Sequence, residues 1–195
     1  MTETTVVTTR EQFHAVAADA PAGARVPVEV RTVVADPFDA YRRASGEPSG
    51  AFLETTGGQA GWGDFGVDPR HSQRADTDRR FGSKRSETLA ALDGLLDGEQ
   101  LARGDCDVPY PCGAIGWLSY DIARELESFP ELTDDPDRGL PTMQVAVYDC
   151  LAAWEEPRDG DTTLRITACP ELPPDADEAG LDACYDRALA DARDL

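Results

Sequence analysis

The segment PYPCGAIGWLSYDIARELESFP, Pro109–Pro130, carries the densest pattern in the chain. Two prolines bracket an aromatic residue, Gly113-Ala114-Ile115-Gly116 supplies a run of small side chains, and an amphipathic helix is predicted from there to Pro130. Glycines at this density let backbones approach closely, so the segment is predicted to be a centre of packing. Gly113, Gly116, Tyr120 and Asp121 are read as scaffold. Arg124 with Glu125 or Glu127 is read as a surface ion pair of small energetic weight.

On the N-terminal side, Thr9 and Gln12 form a Thr-x-x-Gln capping box ahead of Phe13, Val16 and Ala17 at helical spacing. Val26–Val34 alternates valines with charges, which predicts a strand with one solvated face. Asp36-Pro37 is a helix start, N-cap followed by proline. Ala51–Thr56 and Gly61–Val67 flank Gly57-Gly58 as a β-hairpin. Residues 70–84 are polar and read as a loop. Ser86 caps a helix with Leu89, Leu92, Leu95 and Leu96 predicted to face inward.

On the C-terminal side an acidic loop, 131–139, is predicted to lead into one buried strand over Met143–Trp154. Pro157–Asp161 is a turn and Thr163–Cys169 a further strand. A proline-rich connector then reaches a last helix, Glu178–Leu195, with Leu181, Cys184, Tyr185, Ala188 and Leu189 on one stripe. Strands come in hairpins with helices between them, so the fold class is α+β with antiparallel sheet.

The formal net charge is −20, and Lys84 is the single lysine. Such a surface repels phosphate backbones and anionic membranes, which argues against nucleic-acid and membrane roles. Acid-rich, lysine-poor chains suit concentrated salt, where charges are screened within about 3 Å at 1 M. No apolar run approaches a membrane span, and the polar start predicts a cytoplasmic protein. The five cysteines form no Cys-x-x-Cys pair and the two histidines, His14 and His71, lie in unrelated contexts. No metal site or catalytic triad is indicated. Glu54 stands out as a carboxylate between Leu53 and Thr55 in an apolar hairpin. It either points to water or, with the Thr55 hydroxyl, binds the amino group of a small molecule.

Four stretches, DPFDAYRR, AFLETTGG, GWGDFGVDP and the Pro109–Pro130 segment, together resemble the N-terminal region of component I of the chorismate-aminating synthases. That family includes anthranilate synthase and aminodeoxychorismate (para-aminobenzoate) synthase. The resemblance implies an N-terminal domain over residues 1–170 and a connector helix over 171–195, leading to a C-terminal chorismate-binding domain that this chain does not contain. It implies a regulatory and scaffolding role, with no catalytic residue and no cofactor here. Magnesium and the acid–base groups belong to the catalytic half, and ammonia comes from a glutamine amidotransferase partner. Leu53-Glu54-Thr55 matches a Leu-Glu-Ser segment that helps the family bind tryptophan, with threonine retaining the hydroxyl. Trp62-Gly63 replaces the usual Tyr-Ser, and Ala114 stands where a second glycine is common. LSYDIARELESFPE is more similar to the aminodeoxychorismate branch, with anthranilate synthase as the alternative. A stand-alone tryptophan-binding module, and a structural domain using the last helix as an interface, are the remaining readings.

Overall fold

Local capping rules start most of the helices where the sequence places them. Helix α1 (Arg10–Asp19) opens on the predicted box: Gln12 N donates to Thr9 Oγ1 at 3.3 Å, and Thr9 N to Gln12 Oε1 at 2.8 Å. Helix α2 (Pro37–Ala44) opens on Asp36, which accepts from Asp39 N at 2.9 Å. The computed structural model describes residues 4–46, 50–76, 86–127 and 140–195, apart from the side chains of Asp121 and Arg124. The predicted acidic loop over 131–139, the end of the opening segment and most of the 70–84 loop therefore lie outside the described residues. The chain divides into two units: Met1–Arg70, Glu99–Gly113 and Val147–Leu195, and separately His71–Gly98 and Ala114–Ala146.

The first unit is built on a six-stranded sheet in the order β1-β2-β9-β8-β4-β3. The strands are β1 (Thr5–Val6), β2 (Val28–Val34), β3 (Ala51–Leu53), β4 (Gly61–Gly66), β8 (Cys150–Glu156) and β9 (Thr162–Ala168). Every pairing in it is antiparallel. Side chains alternate between faces along a strand, so the register sorts chemistry by row. One cross-strand row runs Val6, Val30, Ile166, Ala152, Phe65, Phe52; the adjacent row runs Thr5, Arg31, Arg165, Ala153, Asp64, Leu53. The first row belongs to the core, packed with Phe13 of α1 and with Cys184, Tyr185, Ala188 and Ala192 of the last helix, α5 (Glu178–Asp194). Residues 171–195, read as a connector, thus lie inside this unit with their apolar stripe covered.

The second row carries charge, and the reading of β2 as a strand with one solvated face fits Arg31 and Val33, which are exposed, but is corrected at Glu29. Glu29 is only 2% exposed. Arg165 grips it with two parallel bonds, Nε to Oε1 at 2.8 Å and Nη2 to Oε2 at 2.9 Å, and Arg31 Nε adds a third at 2.7 Å. Pairing of this kind offsets the cost of burying a carboxylate. Asp107 also binds Arg165, and that guanidinium holds the Asp107 carboxyl below the usual carboxylate range.

Gly63 has a steric reason. It pairs with Trp154, and a Cβ there would lie 2.1 Å from the Trp154 ring. The fully buried indole of Trp154, whose Nε1 donates to Glu156 Oε1 at 2.6 Å, fills the space that a side chain would need.

The second unit holds a three-stranded sheet in the order β5-β7-β6, made of β5 (His71–Ala75), β6 (Gly113–Leu118) and β7 (Met143–Tyr148), with helix α3 (Glu87–Leu96). Three sequence expectations change here. His71–Ala75 is a strand rather than loop, because an exposed polar strand shows no apolar alternation. The predicted strand over Met143–Trp154 is two strands, β7 and β8, which break at Asp149 and enter different sheets. The small-residue run Gly113–Leu118 is a strand, and among the described residues the 3-10 turn Tyr120–Ile122 and the single α turn α4 (Ala123–Leu126) follow it. Trp117, Leu118, Tyr120 and Leu126 are exposed, so the packing centre lies in the six-stranded sheet, not in this segment. The close-approach reading of Gly116 holds: a Cβ would meet Gln144 O at 2.2 Å. Leu89 and Leu96, expected inward, are also exposed.

Polar bonds do much of the joining in this unit. Glu125 accepts from Ser86 Oγ at 2.6 Å, Thr88 N at 3.1 Å and Thr88 Oγ1 at 2.7 Å. It is thus a cap on α3, and its charge suits a helix N-terminus. Burial pushes its carboxyl up, but these bonds outweigh that and leave it below the usual glutamate range.

Two outcomes follow. Gly63→Ala is expected to cost roughly 1–3 kcal/mol by overpacking against Trp154, read as a lower urea midpoint in concentrated KCl; an unchanged midpoint contradicts the packing account. Glu125→Gln is expected to cost about 1 kcal/mol at neutral pH. A depressed folded-state pKa stabilises above the unfolded value of about 4.3 and stops doing so as pH falls through the folded one. The gap between parent and variant midpoints is therefore expected to close on acidification, and a gap independent of pH contradicts the capping role.

Candidate functional site

Edge strand β3 ends at Leu53, so Glu54 and Thr55 sit at the mouth of the β3–β4 hairpin rather than within a strand. Gly57 and Gly58 turn the chain with φ of 78° and 71°, a conformation that favours glycine. The Thr55 hydroxyl donates to Trp62 O at 2.9 Å and closes the loop. A Cβ on Gly61 would lie 2.6 Å from that hydroxyl oxygen, so glycine is required beneath it. Leu53 leaves half of its surface exposed.

Glu54 is not free. Its Oε1 lies 2.6 Å from Arg158 Nη2, in the turn between β8 and β9. Arg158 also holds Asp36 Oδ2 at 3.1 Å and Glu156 Oε1 at 2.9 Å. Desolvation pulls the Arg158 pKa down, but the hydrogen bond to Asp36 and the three carboxylates outweigh it and raise it. Asp36 sits below the usual aspartate range, first through the hydrogen bond from Asp39 N and then through Arg158. The predicted trio Leu53, Glu54 and Thr55 is therefore contiguous, but its carboxylate and hydroxyl already have partners.

One residue of this region escaped the sequence reading. Asp64, the register partner of Leu53, is 9% exposed. Its Oδ1 is buried with no hydrogen-bond partner, and burial raises its pKa to about 6. The signal was present in Gly61–Val67: with Phe65 assigned to the core, period-2 alternation puts Asp64 on the opposite face with Trp62.

The other proposed scaffold positions fall elsewhere. Gly113 takes a φ of 140° at the start of β6, Gly116 and Tyr120 lie in the second unit, and Glu127 is the C-cap of α4. The side chains of Asp121 and Arg124 lie outside the described residues. Among the described residues, no group of three or more His, Cys, Asp or Glu could hold a metal ion, and no helix is long and apolar enough to cross a membrane.

No family model matches the chain. Individual relatives do. The chain is 57% identical over 193 residues to an anthranilate synthase component 1 of Haloarcula marismortui, covering 96% of this chain and 38% of that protein. It is 50% identical over 199 residues to a second anthranilate synthase component 1 of the same organism, covering 100% of this chain and 38% of that one. Aminodeoxychorismate synthase component 1 of Escherichia coli matches at 44% identity over 43 residues, 22% of this chain. The preference for the aminodeoxychorismate branch rested on one short helix motif, and the near full-length matches favour the anthranilate alternative instead. The Haloarcula relatives also fit the salt-adapted composition. The chain spans little more than a third of the length of the component 1 proteins it matches from end to end, and it belongs to the family of component I of the chorismate-aminating synthases.

Proposed function

We propose that this chain is the regulatory and scaffolding portion of an anthranilate synthase component I. The observation that carries this reading is the alignment of nearly the whole chain with two anthranilate synthase component 1 proteins. In this role the six-stranded unit binds an amino acid, tryptophan by the family resemblance, along the β3–β4 hairpin. An exposed apolar side chain, Leu53, stands at the sheet edge opposite the buried carboxylate of Asp64, and this supports an amino-acid site.

Amination itself belongs, on this reading, to the larger part of the relatives' length that this chain does not span. That part binds chorismate with magnesium, and a glutamine amidotransferase subunit supplies ammonia. The whole assembly works in the cytoplasm. No catalytic step is assigned to a residue of this chain.

Calorimetric titration of the chain with L-tryptophan in concentrated KCl is expected to give saturable one-site binding, and a flat titration overturns the amino-acid role. The branch is tested separately, by joining the chain to the remaining part of an anthranilate synthase component 1 and, in parallel, to that of an aminodeoxychorismate synthase component 1, each supplied with chorismate and ammonia: amination restored with the former alone supports the proposal, and amination restored with the latter alone overturns it.

A further inference from the structure

Three buried side-chain polar atoms among the described residues have no hydrogen-bond partner: His14 Nε2, Asp64 Oδ1 and Asp149 Oδ1. Two of them lie close to another ionisable side chain. His14 Nε2 lies 3.1 Å from Asp182, and Asp149 Oδ1 lies 3.0 Å from both Arg25 and Arg70. Asp64 has no ion-pair or hydrogen-bond partner for Oδ1 among the described residues.

The sheet explains why nothing reaches it. In its row, Asp64 stands between Leu53 on β3 and Ala153 on β8, and neither side chain offers a donor. The next position in the row is Arg165, two strands and so about 9–10 Å away. That guanidinium is committed to Glu29 and Asp107 and lies over the Trp62 ring, 5.7 Å from its centroid. A buried carboxylate without a partner is costly, and such costs concentrate where a ligand completes the set of contacts. Meanwhile Glu54, the carboxylate that the sequence offers for an amino group, is already neutralised by Arg158 at 2.6 Å.

We infer that Asp64, rather than Glu54, receives the ammonium group of the amino-acid ligand, as a specificity-determining residue of the β3–β4 site. The inference rests on the amino-acid-binding reading and places the ligand's cationic end on the charged row of the sheet. Leu53, half exposed on the edge strand directly opposite, gives the ligand its approach and an apolar contact. The burial that raises Asp64 to about 6 still leaves it mostly ionised at neutral pH, ready for a cation. Ligands that share the side chain but lack the ammonium lose this contact and bind more weakly.

The test uses the 195-residue chain, its Asp64→Asn and Glu54→Gln variants, and two probes: L-tryptophan and 3-(indol-3-yl)propanoate, the same skeleton without the amino group. The parent is expected to prefer L-tryptophan by about ten-fold or more, the worth of a charge-assisted hydrogen bond. Asp64→Asn is expected to bind both probes with similar affinity, and Glu54→Gln to keep the parental preference. Asp64→Asn removes an unpaired buried charge, so its thermal midpoint without ligand is expected to equal or exceed the parent's. If the parent itself binds both probes equally, the inference fails whatever the variants do. If the parent discriminates and Asp64→Asn does so equally, the assignment to Asp64 fails while the amino-acid site stands. If Glu54→Gln alone loses the preference, the ammonium site is Glu54. If neither probe binds the parent, the amino-acid reading falls and takes this inference with it.

Discussion

A one-residue offset in strand register governs the first unit. The pairing that sets Phe65 against Ala152 also sets Asp64 against Ala153, so each strand gives one residue to an apolar row and the next to a charged one. A register slip of one residue would exchange the two faces. It would drive Arg165 and Glu29 toward α1 and α5 and set Ile166 and Val30 on the charged face. The steric fit of Gly63 under Trp154 fixes the β4–β8 register by exclusion, and the grip of Arg165 on Glu29 fixes the β2–β9 register by attraction.

The same offset accounts for the character of the candidate site. On the apolar side the aromatic cluster of Phe52, Phe65, Tyr41 and Trp154 is closely packed, with Phe52 and Trp154 centroids 5.3 Å apart. On the charged side the strand contributes residues that need partners, and the neighbours either supply them or do not. Glu29 is fully paired and serves stability. Glu54 is paired at the rim, through an arginine that also ties α2 to the β8–β9 turn. Asp64 is left with an open acceptor. Three carboxylates on or beside one sheet thus differ in role through their surroundings alone.

Much of this was legible in the sequence wherever the determinant is local. The capping box at Thr9, the Asp36-Pro37 start, the Gly57-Gly58 turn and the α+β class all depend on residues a few positions apart. What was missed depends on distant partners. Glu29 looks solvated until Arg165, 136 positions away, is brought beside it. The apolar run from Met143 to Trp154 carries no mark at Asp149 to say that its halves enter different sheets. The segment Gly113–Leu118 was read as the approach to a helix because small residues suit both structures, and only the backbone of Gln144 and Val145 beside Gly116 resolves it. Family resemblance supplied the Leu53–Thr55 site, but the unpaired state of Asp64 is a property of its neighbours' chemistry and not of any motif.

The most direct measurement is a pH titration of the Asp64 carboxyl carbon by NMR, with and without L-tryptophan in concentrated KCl. The account predicts an apparent pKa of about 6 for the free chain, falling when the ligand's ammonium stabilises the ionised form. A free-chain value near the ordinary aspartate figure of about 3.9, unmoved by ligand, would contradict it.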